Sequence, residues 1–341
     1  MNIMSSSEPI RVLITQSFTS KLIQSLQSIS SRLKIKHVPT KNPDDLEKYW
    51  ATVEVLYTAK IVPKPEQAPR LSWIQAHFAG VEHLLKHPII DQVHLTTASG
   101  VGAKSISEYV IGGLLALNHH IPSFLEHQSQ KIWSSRRLQI FVPSELRNTT
   151  LGIIGYGGIG QEIAHLASAF GMKILVTKHD ILEPSINSWQ FPNSSNIQHN
   201  LVEKLYRPEH LNTMLKQCDY VVAAVPLTAN TKHMISTPEF NAMKKGTIVV
   251  NISRGKVVDE LALIDALQSG HLRGAILDVF ETEPLDAKSP LWTLPNVIIS
   301  PHVSGLTPNY DQRAIELFAN NLKRYLSINP LLNEVNIKRG Y

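Results

Sequence analysis

Short apolar runs alternate with longer amphipathic stretches along nearly the whole chain. Ile10-Arg11-Val12-Leu13-Ile14-Thr15 reads as a buried strand, and Thr19 to Ser30 repeats apolar residues at helical spacing. Lys34 to His37, Val53 to Tyr57 and Leu71 to Ala76 read as further strands, with a proline-rich loop at Pro63, Pro65 and Pro69. Ile106, Val110, Leu114 and Leu117 predict a helix over Ser105 to Asn118, taken as a spacer between two domains. From Thr150 strand and helix patterns alternate again, with strands predicted at 151–154, 173–177, 220–225, 247–251, 275–279 and 297–300. Pro184 to Asn200, rich in Ser, Asn and Pro, reads as a surface loop. A last helix, about Asn309 to Leu326, is expected to pack back on the first domain. With 341 residues the chain is long enough for two cores.

One junction in this pattern carries chemistry. The apolar run Leu151-Gly152-Ile153-Ile154 passes directly into Gly155-Tyr156-Gly157-Gly158-Ile159-Gly160, and Gln161 to Ala167 continues as a helix. In a strand–turn–helix unit with G-x-G-x-x-G spacing, the first glycine permits the sharp turn and the second lets backbone approach a pyrophosphate. The third lets helix and strand pack closely. The helix N-terminus adds N–H groups and a positive dipole end. The expected architecture is α/β, with two Rossmann-like, doubly wound domains. A dinucleotide-binding domain (103–306) is inserted into a discontinuous substrate domain (10–102 and 307–341), leaving a cleft between the two.

Composition narrows the partners. The formal charge is only +5 and the lysines and arginines are scattered, which argues against a nucleic-acid surface and suits small anions. Cys218 is the single cysteine, so no intrachain disulfide can form, and its place before an apolar strand suggests inert core. The first nine residues are polar, and the longest apolar run, Val110 to Leu117, is too short for a membrane span. A cytoplasmic protein without membrane or nucleic-acid partners is expected. His77, His83, His87 and His94 form no metal-ligand spacing, and no metal is expected.

Three later strands end in reactive side chains. Val249-Val250-Asn251-Ile252-Ser253 leads to Arg254, Leu277-Asp278-Val279-Phe280 leads to Glu281 and Glu283, and Ile298-Ile299-Ser300-Pro301 leads to His302. Ligands of open α/β sheets bind beyond the carboxyl ends of strands, so these residues are expected to converge. Arginine grips a carboxylate with two parallel hydrogen bonds, an acid orients an imidazole and favours its charged form, and the imidazole moves a proton. Singly, each has an ordinary explanation: an ion-pair former, a loop acid before proline, a satisfied loop histidine. Their common placement makes them a set.

On these residues the chain resembles the D-isomer-specific 2-hydroxyacid dehydrogenases. The resemblance rests on the glycine loop, Val225-Pro226-Leu227-Thr228, Asn251-Ile252-Ser253-Arg254-Gly255, Leu277-Asp278-Val279-Phe280 and Ser300-Pro301-His302, in that order. It implies that Arg254 binds the substrate carboxylate and carbonyl, that His302 is the acid/base, and that Glu283 keeps His302 protonated. Backbone at Gly80 and Val81 would complete the carboxylate site. Gly155, Gly157, Gly158, Ile159, Gly160, Pro226, Ile252, Arg254 and Asp278 would contact the dinucleotide, Asp278 at the nicotinamide carboxamide. A homodimer joined through the nucleotide domains is implied, with Trp133 and Arg136-Arg137 near the cleft or a subunit contact. Some proteins similar in fold act instead as NAD(H)-responsive co-regulators, which is the alternative reading. Formate dehydrogenases, also similar, carry glutamine where Glu283 stands.

Three positions depart from the family pattern. Lys178 ends the second strand of the nucleotide domain, where NAD-binding relatives carry an acid for the ribose 2′-OH. A cation there favours a 2′-phosphate, so NADP(H) is expected; Asp180, two residues on, keeps NAD(H) open. Gly158 stands where many relatives have arginine, and Val303-Ser304-Gly305 follows His302 where small apolar residues are commoner. The expected activity is hydride transfer between NADP(H) and a small 2-keto or 2-hydroxy acid of the glyoxylate/hydroxypyruvate kind.

Overall fold

A computed structural model describes residues 8–179, Trp189 and 201–341, which separate into two compact units. Residues 8–101, Trp189 and Thr307–Tyr341 form unit 1; residues 102–179 and 201–306 form unit 2. Asp180 and all of the 184–200 loop except Trp189 lie outside the described residues.

Unit 1 contains β1 (Ile10–Ile14), β2 (Leu33–His37), β3 (Val55–Thr58), β4 (Trp73–Ala76) and β5 (His94–Thr96), all parallel, in the order β2-β1-β3-β4-β5. The residues of β5, His94-Leu95-Thr96, have one apolar side chain between polar ones and gave no strand pattern in the sequence. They pair with β4 because Trp73 Nε1 donates to Thr96 Oγ1 at 2.8 Å and the ladder Trp73↔His94 brings them there. The C-terminal helix Tyr310–Leu326 lays Ile315, Phe318 and Leu322 against Ile10, Tyr57 and Trp73. That 3-4-7 spacing is one face of a helix, and each such side chain, fully buried, stabilises by about 2 kcal/mol.

Unit 2 contains β6 (Thr150–Ile154), β7 (Lys173–Thr177), β8 (Lys204–Tyr206), β9 (Tyr220–Ala223), β10 (Ile248–Asn251), β11 (Gly274–Leu277) and β12 (Val297–Ile299). All pairs are parallel, and the order is β12-β11-β10-β9-β6-β7-β8. The sheet therefore has seven strands rather than the six expected; β8 is a short edge strand with only one buried residue, too weak a pattern to read. The strand order reverses between β6 and β9, the switch point where such sheets bind ligands. The helix Ala103–Asn118 is not a spacer. Ile106, Val110, Ile111 and Leu114 are buried in the unit 2 core with Ile153, Ile163 and Ile276, so its continuous apolar face is a packing face. Cys218 is fully buried, its thiol 3.2 Å from the Met214 carbonyl, and burial pushes its ionisation up to about 12. It is inert core at neutral pH.

Candidate active site

At the switch point the three glycines of the loop have separate duties. Gly155 has φ +100, and a Cβ there would lie 2.6 Å from the Ala224 carbonyl oxygen. A Cβ on Gly160 would lie 2.3 Å from the Gly155 oxygen, so the helix Gly158–Ala169 can seat against the loop only with glycine. Gly157, its N-cap, has nothing within 4 Å of an added Cβ. The middle glycine is thus open on the side where the first-turn N–H groups of Gly158, Ile159 and Gly160 lack acceptors within the helix. An open concavity lined by such donors fits the pyrophosphate of a dinucleotide.

Lys178, half-buried, directly follows β7 and donates its N–H to the Tyr206 carbonyl at 3.1 Å. Pro226 is exposed past β9, its carbonyl accepting from Thr231 Oγ1 at 2.6 Å; Ile252 is buried beneath the end of β10.

The strand-end residues of β10, β11 and β12 are tied together in register. Asn251 pairs with Leu277 and Leu277 with Ile299, and the ladder continues through Asp278 N–H to Asn251 O and Ser300 N–H to Leu277 O. Beyond this ladder Arg254, half-buried, is held by an Asn251 side chain that donates to its carbonyl, while its Nη1 donates to Ser253 O at 2.7 Å. A Cβ on Gly255 would lie 1.8 Å from the Phe280 carbonyl carbon. Only glycine lets the Arg254 loop approach the loop that carries Glu283. His302 Nδ1 lies 2.8 Å from Glu283 Oε2, and the other carboxylate oxygen accepts from Phe280 N–H at 3.2 Å. This pairing makes Nδ1 the proton donor to the carboxylate and leaves Nε2 as the atom that exchanges a proton with substrate.

His302 itself has φ +56, a left-handed conformation that costs a non-glycine residue about 1 kcal/mol or more. Asp278 holds it there. Only 1% exposed, its carboxylate accepts from Ser300 Oγ, Val303 N–H (2.9 Å), Ser304 N–H (3.0 Å) and Ser304 Oγ. Asp278 thus anchors the segment that follows His302 within unit 2. Ser304, noted above only as a departure from the pattern, is what completes its shell.

A second device was not legible in the sequence. Glu260 N–H donates to Glu281 Oε1 at 3.1 Å and Glu281 N–H donates to Glu260 Oε2 at 3.2 Å, while His233 Nε2 lies 3.0 Å from Glu281 Oε1. His233 Nε2 is oriented poorly for a hydrogen bond, so the contact is close approach and not a directed bond. Burial and the neighbouring Glu281 raise the Glu260 ionisation, opposed in part by the Glu281 N–H. The reciprocal backbone bonds fasten the Glu283 loop to the helix Glu260–Gln268. Two acids spaced by twenty residues give no local pattern that would reveal this.

In unit 1, Gly80 and Val81 lie just past β4, Val81 buried and Gly80 half-buried. His77, between β4 and this loop, is 7% exposed; its Nδ1 is 2.9 Å from the Tyr57 hydroxyl and its carbonyl accepts from Tyr310 at 2.9 Å. Among the described residues no group of three or more His, Cys, Asp or Glu side chains is placed to hold a metal ion, and no helix is long and apolar enough to cross a membrane.

Residues 111–304 match the family described as D-isomer specific 2-hydroxyacid dehydrogenase, NAD binding domain. The chain is 34% identical over 262 residues to a glyoxylate reductase of Pyrococcus furiosus, covering 75% of this chain and 73% of that protein. It is 33% identical over 232 residues to an (S)-sulfolactate dehydrogenase of Chromohalobacter salexigens, covering 68% and 69%. The crystal structure of a D-isomer specific 2-hydroxyacid dehydrogenase family protein from Aeromonas salmonicida superposes with a TM-score of 0.76 at 31% identity. It covers 97% of this chain and all of that one.

Proposed function

Because this chain belongs to the D-isomer specific 2-hydroxyacid dehydrogenase family, and is thereby an NAD(P)-dependent oxidoreductase, we propose that it reduces a small 2-keto acid of the glyoxylate/hydroxypyruvate kind with NADPH. The observation that carries this reading is the His302–Glu283 pair, 2.8 Å apart, on loops locked to the one that presents Arg254. The bound nicotinamide supplies the hydride for the keto carbon. Arg254 holds the substrate carboxylate and stabilises charge that grows on the keto oxygen. His302 gives its Nε2 proton to that oxygen, and Glu283 stabilises the imidazolium before transfer. Asp278 acts by holding His302 in its strained backbone. Backbone at Gly80 and Val81 is proposed as carboxylate-binding. The dinucleotide is assigned to Gly155, Gly157, Gly158, Ile159 and Gly160, with Pro226 and Ile252 along it.

Lys178 supports NADP(H): a cation at the end of β7 attracts a 2′-phosphate. Glyoxylate reduction by the Pyrococcus relative supports the substrate class, and the sulfolactate relative marks the range the family spans. We also propose a homodimer formed through unit 2. Leu125, Trp133 and Leu138 are strongly exposed there, Trp133 at 84%, on a short stretch that a second copy would cover. Sedimentation should give a dimer, and Leu125→Glu with Trp133→Glu a monomer; a monomeric native protein would overturn this.

The test of the activity is initial-rate oxidation of NADPH and NADH, at equal concentration, with glyoxylate, hydroxypyruvate and a bulkier 2-keto acid. Faster turnover with NADPH and the small acids is expected. Preference for NADH would overturn the Lys178 argument and leave the triad. Preference for the bulky acid would overturn the substrate class.

A further inference from the structure

The register of β7 and β8 puts a second cation beside Lys178. Leu175 pairs with Lys204, Val176 with Leu205 and Thr177 with Tyr206, and the Lys178 N–H reaches the Tyr206 carbonyl at 3.1 Å. That bond carries the ladder one step beyond both strands. The next residues, Lys178 and Arg207, therefore stand side by side across neighbouring parallel strands, backbones ~5 Å apart, with side chains starting on the same face. The pair lies at the carboxyl edge of the sheet. On the other side of β7, β6 passes into the glycine loop, and Gly155 N–H donates to Thr177 O at 3.1 Å. The two cations are thus in line with the open pyrophosphate cradle along one edge of unit 2.

Arg207 lies 4.0 Å from the Glu209 carboxylate, with both side chains more than half exposed. An exposed pair at that distance is screened and weak, so the guanidinium can exchange it for a better anion. Among the described residues, Lys204, in the same strand, directs its Nζ to the Tyr206 ring, 4.9 Å from its centre. A phosphate monoester carries about −1.5 to −2 charges at neutral pH, more than one ammonium neutralises. A guanidinium adds a planar fork that matches two phosphate oxygens, where lysine supplies a point charge.

We propose that Arg207 is the second half of a ribose 2′-phosphate subsite whose first half is Lys178, and that it determines preference for NADP(H) over NAD(H). This rests on the NADP(H) reading of Lys178 above. The strand register assigns Arg207 to the subsite although twenty-nine positions separate it from Lys178 in the chain.

Calorimetric titration with 2′,5′-ADP and 5′-AMP, which differ in the 2′-phosphate and need no turnover, tests it on native protein, Lys178→Ala and Arg207→Ala. Native protein should bind 2′,5′-ADP the more tightly. Arg207→Ala should weaken 2′,5′-ADP about tenfold, the loss of one charged hydrogen bond, and leave 5′-AMP within about twofold. Arg207→Lys should recover part of the loss. If Lys178→Ala loses 2′,5′-ADP and Arg207→Ala does not, the NADP(H) reading stands and the assignment of Arg207 falls. Equal weakening of both ligands by Arg207→Ala would also overturn it, because the residue would not be reading the phosphate. If native protein binds the two ligands alike, the NADP(H) reading itself fails, and the subsite with it.

Discussion

Two histidines stand just past parallel strands in the two units, and their surroundings make them opposites. His77 follows β4 and is enclosed by the rings of Phe18, Tyr57, Phe78 and Tyr310. Desolvation lowers its ionisation to about 4, and Asp311, 3.9 Å away and half exposed, is too distant and too wet to reverse that. The Tyr57 hydroxyl, held protonated by its own burial, donates to His77 Nδ1. His77 is therefore a neutral packing residue. His302 follows β12, is exposed, has a left-handed backbone, and faces the Glu283 carboxylate. One histidine is kept from charging; the other stands in solvent against a carboxylate. Residue type and strand-end position are shared; solvent access and the identity of the hydrogen-bond partner decide the role.

The largest expected effect breaks the pair apart. His302→Asn should lower kcat about 10³-fold, the contribution of a positioned general acid, with the Kd for NADPH within about twofold of native. His77→Gln should change kcat far less; a larger loss at His77 would reverse the comparison. Asp278→Asn replaces one of the two acceptor oxygens by a donor, which then faces either the Val303 or the Ser304 N–H. It should destabilise by about 3 kcal/mol in urea denaturation and lower kcat as His302 leaves its strained position. Unchanged stability would show that the loop does not depend on Asp278. Glu283→Gln should lower kcat about a hundredfold and KM for the keto acid much less, since the carboxylate acts on the imidazolium and not on the substrate. A dominant rise in KM would assign Glu283 to binding instead.

The smallest effect concerns His77 and pH. Its unfolded form binds a proton near pH 6.5 and its folded form only near 4, so between these values the unfolded chain holds more protons. Stability from this group is complete above pH 6.5 and is lost as pH falls toward 4. The loss between pH 7 and pH 5 should be about 2 kcal/mol, and His77→Gln should flatten the urea midpoint over that range. A slope that survives the substitution would place the titration elsewhere.

Much of this protein was written locally. Runs such as Leu151–Ile154 and Val249–Asn251 are buried on both faces, so they are apolar throughout and readable as strands. The glycine loop is local too, because its turn and its helix packing each exclude a side chain. Arg254, Glu283 and His302 were legible because parallel strands share one carboxyl edge, so residues at three strand ends must lie at the same side of the sheet. β5 and β8 were not, because His94-Leu95-Thr96 and Lys204-Leu205-Tyr206 carry polar residues in three-residue strands, where the equally short Val297-Ile298-Ile299 is apolar throughout. The helix Ala103–Asn118 was legible as a helix but not as core, since an apolar face does not say what covers it.

The sequence by itself determined the α/β class, the glycine loop and the three strand-end residue types proposed as the catalytic set, all through patterns that span a few residues. Only the tertiary structure decided the state of each residue. Asp278 anchors the segment after His302 because Val303 and Ser304 donate to it, His77 is neutral because Tyr57 and Tyr310 bury it, and Arg207 stands beside Lys178 through a strand register. Each depends on atoms distant in the chain, where solvent exclusion and partner geometry set the energy of charge and proton.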